Sequence, residues 1–362
     1  MGLRTVVGRV KLRVWRGKDP SDGHWGCPIR ERWSLRAHQQ LSAALEDKLA
    51  FTATLAGSYE QAGLLAKKWG CEVDGSVIHA LVQRLGSKAA AQTRQRLKEL
   101  PQESQPQRRA GPLAVVMMDG WQVRMRGPGW GKKKTKKERV EWHELKTGVF
   151  YLHEPAADSQ AGRAMIAGKS LVRWQGEPLD FGQRLHWEAL RRGLARAKEK
   201  LVVADGAAWI WNLKNDRWPQ ARELLDFYHG AEHLWELGRA YHREEESKAK
   251  LWVEQRLHWL RHGQQRRVLK QISQIKAPGQ EVEETVRKEK NYFAGQSGRM
   301  NYQEVADRGW PIGSGPVESA CRQSQCRFKR PGQSWSSPGL RNLCALDEAR
   351  YNEHWEELWW QA

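Results

Sequence analysis

Apolar positions recur along the chain with two periods, and the switches between them predict its elements. Val10, Leu12 and Val14 alternate with Lys11 and Arg13, a half-buried strand pattern. Over residues 34–49 the spacing turns helical, with Leu41, Leu45 and Leu49 on one side. After Gly57, Ser58 and Gln61 stand at capping-box spacing. Ala62, Leu65 and Trp69 then share one helical face, and Gly70 stops the helix. A short turn leads to Asp74, a good N-cap, followed by Val77, Ile78, Leu81, Val82 and Leu85 at helical spacing. Two short helices around a Gly-containing turn fit either a DNA-reading helix-turn-helix or an ordinary helical hairpin.

Residues 101–112 are rich in Pro, Gln and Arg and read as a linker. Beyond it, 113–118 form an apolar run that predicts a buried strand. Residues 122–126 alternate as an exposed hairpin partner would, 127–139 form the tip, and 142–152 return as a third strand. A helix and a second apolar run, 201–204, complete a strand meander followed by a parallel strand. Residues 219–308 change character, being rich in Leu, Trp, Arg, Glu and His with helical periods such as Leu251, Glu254, Leu257 and Leu260. An all-helical insertion is the economical reading. The divisions expected are a basic N-terminal region (1–56), a helix-turn-helix region (57–100), the linker (101–112), a first part of an α/β core (113–218), the helical insertion (219–308), and the return of the core with a C-terminal tail (309–362).

The charge changes the picture. Sixty-one Lys and Arg against 42 Asp and Glu give the 362-residue chain a net charge of +19, which favours a polyanionic partner such as double-stranded DNA. Hydrophobic residues make up 40%, neither a membrane nor a disordered composition, and no apolar run approaches the roughly 20 residues of a membrane span. Residues 1–16 lack a continuous signal-peptide core, so a cytoplasmic location is expected. Five scattered cysteines, Cys27, Cys71, Cys321, Cys326 and Cys344, argue for a reducing compartment; Cys321 and Cys326 are expected to pack as small buried side chains.

Three acidic residues carry the candidate chemistry. Asp119 follows the run 113–118 and precedes Gly120-Trp121; Asp205 follows 201–204 and opens Gly206-Ala207-Ala208-Trp209. Glu318 lies in Gly313-Ser314-Gly315-Pro316-Val317-Glu318-Ser319, ahead of a basic, helix-like stretch. Singly, each Asp is better explained as a turn or cap residue. Together, carboxylates at the carboxyl ends of buried strands are a ligand site, and three of them can hold two Mg²⁺ ions about 4 Å apart around a phosphodiester.

This ordered pattern resembles bacterial insertion-sequence transposases with an RNase H-like Asp-Asp-Glu catalytic core, most closely the Kra-type group, over about residues 111–355. The resemblance implies an RNase H-like mixed sheet with a large α-helical insertion, preceded by a helix-turn-helix region. It also implies Mg²⁺-dependent cleavage and strand transfer at transposon ends, Mn²⁺ substituting, by a homodimer or higher oligomer on DNA in the bacterial nucleoid. Asp119, Asp205 and Glu318 are then the catalytic and metal-binding residues. Asp226-Phe227-Tyr228-His229 resembles the Asp-x-x-His signature that related transposases carry after the second Asp, placing Asp226 and His229 near the active site. Relatives carry paired cysteines in an N-terminal zinc ribbon; here Cys27 stands alone, so no zinc is expected there.

His229-Gly230-Ala231-Glu232-His233 also matches the His-x-x-Glu-His pattern of inverted zinc peptidases, but that chemistry needs a third protein ligand and gains nothing from a basic chain. DNA contacts are expected from Gln83, Arg84 and Lys88 on the second helix. Lys132, Lys133, Lys134, Lys136 and Lys137 at the hairpin tip, and Arg322, Arg327, Lys329 and Arg330 beyond Glu318, are expected to take phosphates. Among the 20 tryptophans, Trp335 is the leading candidate to stack on an unpaired base.

Overall fold

The computed structural model describes residues 2–18, 21, 23–33, 35–36, 39–99, 101, 113–131, 139–156, 162–243 and 245–359. The expected linker, apart from Pro101, and the Lys132–Lys137 run lie outside them. The chain divides into two compact units, Met1–Thr93 with Cys326–Ala362, and Arg94–Gln325.

In the first unit two antiparallel ribbons, β1 (Gly2–Thr5) with β2 (Gly8–Lys11) and β3 (Gly17–Lys18) with β4 (Trp25–Gly26), precede a short helix α1 (Pro28–Arg32). Leu12 and Val14 are half-buried between exposed Lys11 and Arg13, as the alternation at 10–14 predicts, but Val10 is 39% exposed and the strand, β2, ends at Lys11. The helix expected from residue 34 begins later, as α2 (Ala43–Leu55), capped by Ser42, with Leu45 and Leu49 buried as the spacing requires. Helix α3 (Tyr59–Lys68) starts where Ser58 Oγ accepts the Gln61 N–H at 3.1 Å. Gly70, at φ +79°, takes the left-handed conformation that ends it. Helix α4 (Gly75–Arg96) buries Ile78, Leu81, Val82, Leu85 and Gly86.

The second unit is built on one five-stranded sheet. Its strands are β5 (Leu113–Arg126), β6 (Val140–Glu154), β7 (Met165–Trp174), β8 (Glu199–Ala204) and β9 (Arg222–Leu225), in the order β7-β6-β5-β8-β9. Strand β6 runs antiparallel to both its neighbours, while β5, β8 and β9 are parallel. The expected meander and parallel strand are present, but with different strands. Residues 122–126 are not a hairpin partner: β5 continues through them because β6 pairs with it from Leu113↔His153 to Arg126↔Val140. The third strand of the meander is β7, for which the apolar pattern gave no signal.

Between β7 and β8 lies α5 (Pro178–Arg191), and between β8 and β9 lies α6 (Ala208–Arg217). Phe181, Leu185, Ala189, Ile210 and Leu213 from these helices cover one face of the sheet, meeting Ala114, Val116, Met118, Val172, Val202 and Ala204. Close approach needs Gly148, where a Cβ would lie 2.5 Å from a Leu185 methyl. Among the described residues six α-helices follow: α7 (Phe227–His242), α8 (Glu246–Arg261), α9 (Gln265–Gln274), α10 (Glu283–Gly295), α11 (Tyr302–Asp307) and α12 (Gly315–Phe328). The expected all-helical segment from 219 therefore begins with a strand: β9 is hydrogen-bonded to β8 as the sheet's edge. The chain returns to the first unit and ends with α13 (Ser337–Tyr351). Among the described residues no helix is long and apolar enough to cross a membrane.

Candidate active site

Directly opposed residues of neighbouring strands project from the same face of a sheet. Asp119 on β5 pairs with Thr147 on β6, and Thr147 pairs with Arg173 on β7. On the other side, β8 is paired with β5 up to Met118↔Ala204, so Asp205 leaves β8 at the level of Asp119. Asp119 is thus not at a strand's end. It sits mid-strand at the point where its parallel neighbour stops, which brings the two carboxylates together at the carboxyl end of the parallel strands.

Helix α12 lies across this row. Ser324 Oγ accepts from Arg173 Nε at 2.7 Å, in a buried bond. One turn earlier, Cys321 hydrogen-bonds the Asp119 carboxylate and also meets Thr147. Trp121 Nε1 donates to Thr147 Oγ1 at 3.1 Å. One turn earlier again is Glu318, so Glu318, Cys321 and Ser324 share a helical face at i, i+3 and i+6. At the head of the helix, Ser314 donates its N–H to Asp226 Oδ2 at 2.6 Å and its hydroxyl to Glu318 Oε1 at 2.9 Å. Since Asp226 follows the end of β9 at Leu225, α12 crosses the sheet from β9 towards β7 and carries Glu318 past β8 and β5.

Each carboxylate is fixed by its surroundings. Burial pushes the Asp119 carboxyl up, and the Asp205 charge adds to this; the Cys321 bond, the Gly120 N–H and the field of His229 oppose it. Asp205 Oδ1 accepts the Ala207 N–H at 3.0 Å. The backbone of its loop is held from the end of α10, where Tyr292 OH donates to the Asp205 carbonyl at 2.8 Å and Gln296 Nε2, just past the helix, to the Gly206 carbonyl at 3.1 Å. Gly206 has φ +101°, a conformation that a side chain would strain. The Glu318 side chain is 41% exposed, with the Arg322 guanidinium 3.7 Å away. Burial raises the Cys321 thiol well above its ordinary range, and the Asp119 charge raises it further, so it acts as a proton donor rather than a thiolate.

Asp226 is 1% exposed and is a structural clamp as well as a neighbour of the site. Its Oδ1 caps α7, accepting the N–H groups of Tyr228 at 2.6 Å and His229 at 3.0 Å. His229 is 38% exposed and lies 3.5 Å from Glu232. Its ring meets that of His233 edge-on. His233 itself faces away into other chemistry: Nδ1 is 2.5 Å from Glu289 Oε2, and the ring stacks on Tyr292.

His233, Glu236 and Glu289 do place ligand atoms within 4.8 Å of one another, and among the described residues they form the compact set of that kind. Lys288 Nζ stands 3.5 Å from Glu236 and 3.3 Å from Glu289, so an ammonium already neutralises these carboxylates where a cation would sit. Asp119, Asp205 and Glu318 are not so tightly grouped. Oxygens that share two ions need not lie within one ion's coordination sphere.

The residues expected to grip DNA have partners of their own. In the first unit Gln83 Oε1 accepts from Asn342 Nδ2 at 2.9 Å, Arg84 pairs with Glu46 at 2.7 Å, and Lys88 donates to the Leu358 carbonyl at 2.6 Å. Gln83 is half-buried against α13, where Gly86 lets the Asn342 backbone approach, while Arg84 and Lys88 remain exposed. Arg327 is buried beside Tyr59 and Trp335 and donates to the Gly57 carbonyl. Trp335 is 7% exposed with Nε1 bound to the Phe328 carbonyl at 2.8 Å, so it has no free face for a base. Arg330 is half-buried, Arg322 and Lys329 are exposed, and Cys326, expected to be buried, is exposed too. Sequence reasoning missed Thr147, Arg173, Ser314, Cys321 and Tyr292 as parts of the site. Only Cys321 and Ser314 carried a signal, at helical spacings from Glu318. No protein-family model and no curated protein matches the chain.

Proposed function

We propose that the chain is a DDE-type transposase, an RNase H-like core that cleaves DNA at the ends of an insertion sequence and joins the freed ends to target DNA. The observation that supports this reading is the row Asp205–Asp119–Thr147–Arg173 with α12 and its Glu318 laid across it. A sheet in the order β7-β6-β5-β8-β9, with its second strand alone reversed, supplies that row from residues distant in sequence.

The donor set suits a hard divalent cation. Asp119 is held against burial and the nearby Asp205 charge, and among the described residues neither carboxylate forms an ion pair. Asp119, Asp205 and Glu318 would hold Mg²⁺, with Mn²⁺ as substitute. Such ions supply activation of a water or a DNA 3′-hydroxyl and stabilisation of the leaving 3′ oxygen. The chain's own groups prepare the site. Ser314 fixes one Glu318 oxygen, Cys321 fixes Asp119, and Tyr292 holds the Asp205 loop. Arg322, exposed one turn beyond Glu318, would meet a phosphate. The helices α3 and α4 with the turn between them are proposed as the helix-turn-helix region, and the DNA-bound form as a homodimer or higher oligomer.

The experiment uses duplexes carrying the DNA that flanks the gene. Asp119→Ala, Asp205→Ala and Glu318→Ala should each abolish cleavage in Mg²⁺ while duplex binding persists, and EDTA should silence the wild type without rescue by zinc. Wild-type cleavage by any one variant removes that residue from the triad. Cleavage without joining would point to a structure-specific nuclease, and binding without cleavage to a silent DNA-binding descendant.

A further inference from the structure

The N-terminal ribbons of the first unit present a surface built from none of the site residues above. Between Gly2 and Lys18 the chain has six basic residues, Arg4, Arg9, Lys11, Arg13, Arg16 and Lys18, and no acidic one. Arg4 is tied to the Glu72 carbonyl; the other five are exposed. Alongside them Trp15 is 79% and Trp25 71% exposed, whereas Trp310, Trp335 and Trp355 are 7–8% exposed. Two indoles left in water, Trp15 within the basic run and Trp25 beyond Asp19 and Asp22, call for a partner with flat apolar faces and negative charge.

The arrangement is regular. Exposure alternates from Lys11 to Trp15, with Lys11, Arg13 and Trp15 outward and Leu12 and Val14 half-buried. Lys18 pairs with Trp25 across β3 and β4, so a cation and an indole project together from that ribbon. We infer that this surface binds single-stranded nucleic acid. Trp15 and Trp25 stack on unpaired bases, and Arg9, Lys11, Arg13, Arg16 and Lys18 neutralise the phosphates between them. A duplex would satisfy the charges but leave both indoles idle, because its base faces are already stacked on one another. An anionic bilayer would meet a row in which charged side chains separate the aromatic ones.

With 20 tryptophans in the chain, intrinsic fluorescence would not isolate two of them. The measurement is therefore the anisotropy of fluorescein-labelled oligothymidine titrated with the full-length protein. Trp15→Ala and Trp25→Ala should each weaken binding roughly 5- to 150-fold, as the loss of one base–indole stack does. Trp→Phe at either position should recover part of it, and affinity for a blunt duplex should stay unchanged. Arg9→Gln and Lys11→Gln should each flatten the salt dependence by about 0.7 log unit per lost phosphate contact. Circular dichroism matching the wild type shows that each variant is folded. The inference is overturned if the double Trp→Ala variant binds oligothymidine as the wild type does, or loses duplex and oligothymidine equally. It is also overturned if the wild type ignores oligothymidine but binds phosphatidylserine vesicles. Asp119→Ala must retain oligothymidine binding, so loss of cleavage there and loss of binding here report on separate questions.

Discussion

The Asp226 carboxylate accepts the Ser314 N–H at 2.6 Å, across 88 residues of chain. The same side chain caps α7 through its other oxygen, so one buried group joins the end of the sheet, the first turn of α7 and the head of α12. The Phe227 N–H to Ile312 carbonyl bond, at 3.0 Å, reinforces the junction. Because the Ser314 hydroxyl also binds Glu318, the Asp226 position is transmitted to the third carboxylate by two hydrogen bonds.

Asp226→Ala would leave three N–H groups without an acceptor at a site 1% exposed. Each unsatisfied buried donor costs about 1–3 kcal/mol, so urea unfolding should show a loss of about 3 kcal/mol or more. Asp226→Asn retains one carbonyl oxygen, enough for the cap or for Ser314 but not both, and should fall between alanine and wild type. Ser314→Ala keeps the N–H and should cost only about 1 kcal/mol, yet raise the metal concentration needed for half-maximal cleavage. Wild-type stability of Asp226→Ala would mean that the clamp is not formed in solution.

Asp119 should trade stability for function. Burial, then the Asp205 charge, raises its folded carboxyl above the unfolded value. A raised acid favours the protonated folded state, so its contribution is fully present below the unfolded carboxyl pKa of about 3.9 and is lost as pH rises through the folded value. Asp119→Asn should therefore melt at a higher temperature than wild type at pH 7, with the gap closing below about pH 4, and should not cleave. Mg²⁺ should raise the melting temperature of the wild type and leave that of the variant unmoved. Scanning fluorimetry across pH, with and without Mg²⁺, decides; a less stable Asp119→Asn at neutral pH would contradict the burial argument.

How much of this was legible in the sequence differs from residue to residue. The run 113–118 announced a strand buried on both faces, and the short apolar run before Asp205 did the same. What pairs with them did not show. Strand β7 carries Gly168, Lys169, Ser170 and Arg173, which blur its alternation. Ser170 and Arg173 are buried nonetheless, because Arg192 and Ser324 satisfy them from elsewhere in the fold. The register that sets Thr147 beside Asp119 is likewise a property of two strands and is written in neither. For α4 the periodicity gave the apolar face correctly and left Arg84 and Lys88 exposed, but the partners that engage Gln83, Arg84 and Lys88, namely Asn342, Glu46 and Leu358, lie far off in sequence and did not show.

The α4–α13 contact gives a test of packing in the first unit. A Cβ on Gly86 would lie 2.1 Å from the Asn342 carbonyl oxygen, a backbone atom that cannot swing aside. Gly86→Ala should destabilise by about 1–3 kcal/mol through forced separation, although alanine favours a helix by about 1 kcal/mol over glycine. Gly295→Ala is the control, since a Cβ there meets nothing within 4 Å. Thermal unfolding should show opposite signs for the two, and equal signs would place α13 elsewhere.

Cys321 should set the ionisation of Asp119. Its thiol bond to the carboxylate holds the Asp119 carboxyl lower than burial alone would leave it. Removing the donor in Cys321→Ala should let that carboxyl rise further, moving the acidic limb of the pH profile for Mg²⁺-dependent cleavage to higher pH. Cys321→Ser restores a stronger donor at a shorter reach and should bring the limb back towards wild type. A loss of packing alone would lower activity at every pH and leave the limb in place. The thiol also has a signature independent of catalysis. At 3% exposure, and with burial and the Asp119 charge pushing it up, Cys321 should resist iodoacetamide in the folded protein, whereas exposed Cys326 should react. Asp119→Asn removes the charge but not the burial, so protection of Cys321 should persist while its infrared S–H stretch shifts with the weaker acceptor. An S–H band that ignores Asp119→Asn would show that the two groups do not touch, and with that contact would go the placement of α12 across the row.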